Sequence, residues 1–93
     1  MKDLFERHYQ AIRKRGLITD KTTITDFYFK MLEEDKEASK EIIHFMKSPN
    51  NKDKMIQEII DKICVCTNFL RHMDIDLELE LCKNVIHQET RKD

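Results

Sequence analysis

One glycine and one proline in 93 residues constrain this chain more than any other feature. A sheet of short strands needs Gly- and Pro-bearing turns to join them, and almost none are present. Long helices need few such residues. With 38% charged and 40% hydrophobic residues, the composition suits amphipathic helices around one modest core.

Hydrophobic spacing predicts four helices in a single domain over residues 1–93. Leu4, Phe5, His8, Tyr9 and Ile12 recur at three- and four-residue steps over residues 2–15, and Gly16 follows a basic turn. Residues 17–23 read as a connection, with Thr22 or Thr23 placed to cap the second helix. That helix is predicted over 24–46, with Phe27, Met31, Ala38, Ile42 and Phe45 on one arc widened by Tyr28 and Leu32. Ser48-Pro49-Asn50-Asn51 stops it. The third helix is predicted over 54–72, through Met55, Ile59, Ile63, Cys66 and Leu70. Asp74 then stands where a helix end tolerates left-handed geometry. Asp76 caps a fourth helix running to about residue 91 through Leu77, Leu81, Val85 and Ile86. Short connections between helices of this length predict an all-α, antiparallel four-helix bundle.

A formal net charge of −1 argues against nucleic acid or an anionic membrane as partner, because no basic excess exists to neutralise phosphates. Arg13-Lys14-Arg15 is explained by the helix dipole. No apolar stretch approaches the roughly 20 residues of a membrane span. The start, Met1-Lys2-Asp3-Leu4, has no hydrophobic signal region. Three cysteines inside amphipathic pattern read as buried reduced thiols, and the expected compartment is the cytoplasm. The four histidines show no pairing at i, i+4 and read as surface or interface residues.

Two acidic pairs, Glu34–Glu37 and Glu58–Asp61, lie at helical spacing on either side of the Pro49 break. Spacing alone decides nothing: 18 acidic residues placed at random give about three such pairs, and three are present. Position on the helix is more informative. With Glu34 set at zero, Glu37 lies near ~300° and Glu41 near ~340°, beside an apolar arc of roughly 20° to 160°. With Glu58 at zero, Asp61 lies near ~300°, beside an arc of roughly 20° to 200°. Both pairs border the apolar stripe on the same angular side, so antiparallel packing of the two helices can bring four carboxylates together. Like charges at one point call for a cation, and a hard divalent ion suits oxygen donors.

The chain also resembles a family at these residues. Glu33-Glu34-Asp35-Lys36-Glu37 followed by Glu58-Ile59-Ile60-Asp61 is similar to the EExxE…ExxD signature of the MazG-like, all-α nucleoside triphosphate pyrophosphohydrolases. Arg15-Gly16-Leu17-Ile18-Thr19, Asp26-Phe27 and Lys30 resemble the lead-in of short members. The stretch Asn68-Phe69-Leu70-Arg71-His72-Met73-Asp74-Ile75-Asp76-Leu77-Glu78 and the ending Gln88-Glu89-Thr90-Arg91 are similar to their downstream segments. Asp74 stands where the family commonly has Gly, Gln88 where it has Asn, and Lys62 where it has an aliphatic residue.

The resemblance implies that Glu34, Glu37, Glu58 and Asp61 are catalytic Mg²⁺ ligands. The implied reaction is hydrolysis of a nucleoside triphosphate to the monophosphate and pyrophosphate. It implies substrate contacts from Lys30, Asn68, Lys83 and Arg91, and a homodimer or tetramer that builds the base pocket from two chains. Glu33 or Glu41 joins the four acids as a candidate for activating water. Two alternatives stay open: a non-catalytic helical interaction module, and the same fold acting on phosphoribosyl-ATP or another modified nucleotide. No P-loop, nucleophile elbow or dinucleotide fingerprint is present.

Overall fold

The computed structural model describes residues 2–50 and 52–92, with side chains from residue 4 onward; Asn51 of the expected break and the Asp3 side chain lie outside the described residues. Four helices follow one another with no strand among the described residues: α1 (Lys2–Lys14), α2 (Ile24–Lys47), α3 (Lys52–His72) and α4 (Leu77–Thr90). The boundaries match the periodicity to within two residues.

Each end has a local cause. Gly16, at φ 76°, closes α1 in a Schellman turn: its N–H donates to the Arg13 carbonyl at 2.9 Å and Leu17 N–H to the Ile12 carbonyl at 3.2 Å. The end of α3 repeats this turn without glycine. Asp74 takes φ 57°, and Asp74 and Ile75 donate to the Arg71 and Leu70 carbonyls, both at 3.0 Å. Thr23 caps α2 in a reciprocal box: Thr23 Oγ1 accepts from Asp26 N–H at 3.2 Å, and Asp26 Oδ2 accepts from Thr23 N–H at 2.8 Å. Asp76 caps α4 by accepting from Leu79 N–H at 3.1 Å.

Helices α2 and α3 share the largest contact and α1 packs on α3. The α2–α3 pair is antiparallel: Phe27 meets Phe69 with ring centroids 5.1 Å apart, whereas Asp35, two turns along α2, pairs with Lys62, two turns back along α3. The core sits at the Phe27 end, where Tyr9, Ile18 and Phe27 are buried with Ile12 and Phe69 against them. His72 ties this end together. Its Nε2 donates to the Thr22 carbonyl at 3.0 Å, and its Nδ1 is hydrogen-bonded to the Tyr9 hydroxyl at 2.9 Å.

Three expectations need correction. Helix α4 does not close a four-helix bundle: it buries none of its residues and touches α3 only lightly. Glu78 and Glu89 fall inside its apolar arc, which leaves it without a clean face to dock. The buried line of α2 is also not the apolar arc. It runs through Phe27, Glu34, Ala38 and Glu41, rotated by roughly 75° toward the acids. On α3 the buried residues are Glu58 and Asn68. The α2–α3 seam is therefore acidic along its middle, and Ile42, Tyr28 and Leu32 stay exposed. Finally, none of the three thiols is fully buried: Cys64 and Cys66 are half-buried and Cys82 is exposed.

Candidate metal centre

Glu34, one turn beyond Lys30, points from α2 into the seam, and Glu58 and Asp61 enter it one turn apart from α3. One carboxylate oxygen from each lies within 4.8 Å of the other two. Glu34 and Glu58 are both 9% exposed and Asp61 is half-buried. Glu37, half-buried one turn further along α2, lies outside this group. Of the four acids singled out by sequence, the structure thus brings three together.

Lysines neutralise part of this acidic group. Lys30 Nζ lies 3.2 Å from Glu34 Oε1, and Lys54 Nζ lies 3.3 Å from Glu58 Oε1. Burial opposes charge on Lys30, but the Glu34 hydrogen bond and the charges of Glu33 and Glu34 outweigh it and raise its pKa. Lys62 pairs with Asp35 across the helices, and the Asp35 carboxylate raises its pKa. Burial, then the charge of Asp61, pushes the Cys64 thiol up and keeps it protonated.

The donor set fits a hard divalent ion. All three groups offer oxygen, and an octahedral Mg²⁺ with ligands at about 2.1 Å spans roughly 3–4 Å between its donors. The three oxygens, within 4.8 Å of one another, must draw closer to reach that range. Three carboxylates leave the remaining positions of such an ion to water or phosphate oxygen.

Glu34 and Asp61 open onto a groove of about 490 Å³ between α1, α2 and α3, within the size range of small-molecule sites. Glu34, Asp61 and Lys30 line one end; Ile12, Ile18 and Phe27 supply apolar wall. Asn68, 4% exposed, lines the groove and meets His8. His8 Nδ1 stands 3.2 Å from the amide nitrogen and 3.4 Å from the amide oxygen. One ring nitrogen engages one of these atoms at a time, so the amide keeps hydrogen-bonding capacity toward the groove. The other two substrate-contact candidates are elsewhere. Lys83 pairs with Glu80 at 3.1 Å on the exposed α4, and Arg91 hydrogen-bonds Gln88 at 3.5 Å; neither lines the groove.

Two groove residues carry no separate signal in the sequence: the helix dipole explains Arg15, and His8 falls on the apolar face of α1, yet both line the groove. The available signal is the position of Arg15 immediately before Gly16, where the chain turns out of α1.

No helix among the described residues is long and apolar enough to cross a membrane. Comparison with known protein families, with curated proteins and with solved structures finds no match.

Proposed function

We propose that this chain is a Mg²⁺-dependent nucleotide pyrophosphohydrolase of the MazG-like kind, acting in the cytoplasm as a homo-oligomer on a nucleoside triphosphate. The convergence of Glu34, Glu58 and Asp61 at the end of a nucleotide-sized groove carries the proposal.

Glu34, Glu58 and Asp61 hold the ion in this reading. Bound there, Mg²⁺ supplies neutralisation of the triphosphate and polarisation of its P–O bonds. Lys30, beside Glu34, and Arg15, on the groove wall, donate to phosphate oxygens. Asn68, oriented by His8, hydrogen-bonds the base or sugar, and Ile12 and Phe27 exclude water from one face of it. Hydrolysis at the α–β phosphoanhydride then gives the nucleoside monophosphate and pyrophosphate. Substrate contacts from Lys83 and Arg91 require a second chain, because neither lines this chain's own groove.

Pyrophosphate release across a panel of nucleoside triphosphates, with phosphoribosyl-ATP included, tests the reading with and without Mg²⁺. Glu58→Gln and Asp61→Asn are expected to abolish release while far-UV circular dichroism stays unchanged. Unimpaired turnover in both variants would sink the mechanism. The exposed apolar residues of α4 favour one rival, a non-catalytic interaction module. That rival requires that no variant of the three acids alter Mg²⁺ affinity.

A further inference from the structure

The His8 ring and the Asn68 amide meet across the groove in a way that leaves one choice open. His8 Nδ1 is 3.2 Å from the amide nitrogen and 3.4 Å from the amide oxygen, so one ring nitrogen has both atoms in reach. The amide nitrogen only donates and the amide oxygen only accepts. A ring nitrogen without a proton therefore takes the first, and one with a proton takes the second. The atom His8 does not take keeps its full capacity for the groove. Asn68 is 4% exposed and lines that groove, so bulk water does not make good a mismatch there.

Charged and titratable groups reach the same groove from each element around His8. They are Arg15 after α1, Asp26, Lys30 and Glu34 on α2, and Asp61 and Cys64 on α3. Lys30 is drawn to Glu34 at 3.2 Å, and Asp26 is tied into the α2 cap. His72, one turn beyond Asn68, is engaged by Tyr9 and the Thr22 carbonyl. On α1 itself, the residues one turn either side of His8 are Leu4, Phe5, Ala11 and Ile12, none of them charged. The Asn68 amide is the hydrogen-bond partner of the His8 ring.

Resting on the nucleotide reading of the groove, we propose that His8 sets which base is taken, through the amide of Asn68. Without a proton on Nδ1, His8 accepts from the amide nitrogen, the nearer atom. The amide oxygen is then left to accept from a base that carries an exocyclic amino group. With both ring nitrogens protonated, His8 donates to the amide oxygen, and the amide N–H groups are left for a base that carries an exocyclic oxo group. Histidine is the side chain that ordinarily changes charge between about pH 5 and pH 8. The preference for amino-bearing bases therefore weakens as the solution is acidified. A mismatched base sets acceptor against acceptor, or donor against donor, at a buried amide, and this is the source of the selectivity. His8 acts as a positioning residue: its contact is to Asn68.

Paired substrates cancel the other effects of pH. CTP and UTP share sugar, phosphates and ion and differ at the amino or oxo edge of the base; ATP and ITP form a second such pair. The kcat/KM ratio of the amino member to the oxo member is expected to fall at least fivefold in one pair or both between about pH 7.5 and about pH 5.5. In His8→Phe, and in the polar variant His8→Gln, the ratio is expected to stay within about twofold. In the free chain, the Asn68 side-chain amide resonances are expected to titrate together with the His8 ring nitrogens in NMR spectra, and to stop titrating in both variants. Turnover with a pH-independent ratio in the wild-type chain overturns the proposal and leaves the nucleotide reading standing. A ratio that still changes with pH in both variants, or an Asn68 amide that does not follow His8, does the same. No turnover of any of the four nucleotides with Mg²⁺ overturns the nucleotide reading and this inference with it.

Discussion

Lys30 grips Glu34 from the N-terminal side, 3.2 Å away across one helical turn, and this is the weaker order for an acid–base pair on a helix. Lys54 and Glu58 repeat the order at 3.3 Å. Acid before base would align with the helix dipole; base before acid opposes it. Under the proposed function, an ion entering the group would displace Lys30 from Glu34 and Lys54 from Glu58 at small cost, of the order of half a kcal/mol each.

Lys30→Met and Lys54→Met are expected to raise the affinity of the free chain for Mn²⁺ about twofold, read by calorimetry. The two variants should part company in catalysis. Lys30 lines the groove and Lys54 does not, so only Lys30→Met is expected to raise KM for the triphosphate. Equal KM values in the two variants would remove Lys30 from phosphate binding.

Glu37 separates the convergence seen here from the four-acid pattern. Glu34→Gln, Glu58→Gln and Asp61→Asn are each expected to lower Mn²⁺ affinity by at least tenfold. Glu37→Gln is expected to change it by less than threefold, because its carboxylate lies outside the group of three. A loss at Glu37 equal to the others would mean that ion binding draws this side chain inward.

Asp74 carries a left-handed backbone, φ 57°, that glycine adopts without steric cost. Asp74→Gly is expected to stabilise the chain by about 0.5–1 kcal/mol, a few degrees in Tm. The ion pair it gives up, to Arg71 at 3.5 Å, is exposed and worth little. Gly16→Ala at φ 76° is expected to destabilise by about 1 kcal/mol, although the added methyl meets nothing within 4 Å. Thermal denaturation of the two variants, moving in opposite directions, checks both.

Acid should loosen α1 before the hairpin. The Arg71 hydrogen bond, supported by Gln10, holds Glu6 below the ordinary carboxylate range. A depressed folded-state pKa stabilises above the unfolded value, about 4.3 for Glu, and that contribution is lost as pH falls through the lower folded value. The Glu6–Arg71 contact, 2.6 Å long, joins α1 to α3. Near-UV circular dichroism from Tyr9 is expected to fall below about pH 4 while far-UV helicity persists. In Glu6→Gln that early step should vanish, and an unchanged acid profile would assign it to another group.

What could be read from sequence follows the range of the interactions involved. Helix ends are decided within a few residues, so Gly16, Thr23, Asp74 and Asp76 announced their roles. Glu34, Glu58 and Asp61 were legible because a helical angle is also local. Two further features depend on partners some 60 residues away. The Tyr9–His72–Thr22 chain and the His8–Asn68 contact arise only once α1 lies on α3. An apolar arc roughly 140° wide on α2 is broader than one seam fills, and sequence does not say which part of it meets α3. The structure gives the seam to the acidic edge and leaves the rest exposed. The place of α4 was illegible for the opposite reason: its pattern is too diffuse to specify a neighbour.

Under the proposed function, a seam lined by Glu34, Glu41 and Glu58 would make the stability of the hairpin depend on the ion it holds. Apolar seams are indifferent to ions, whereas this one would gain the free energy of ion binding, since the unfolded chain offers no preformed site. At a ligand concentration 100 times its dissociation constant the gain is about 2.7 kcal/mol, comparable with much of what so small a core provides. Melting temperature would then follow the binding isotherm of the ion.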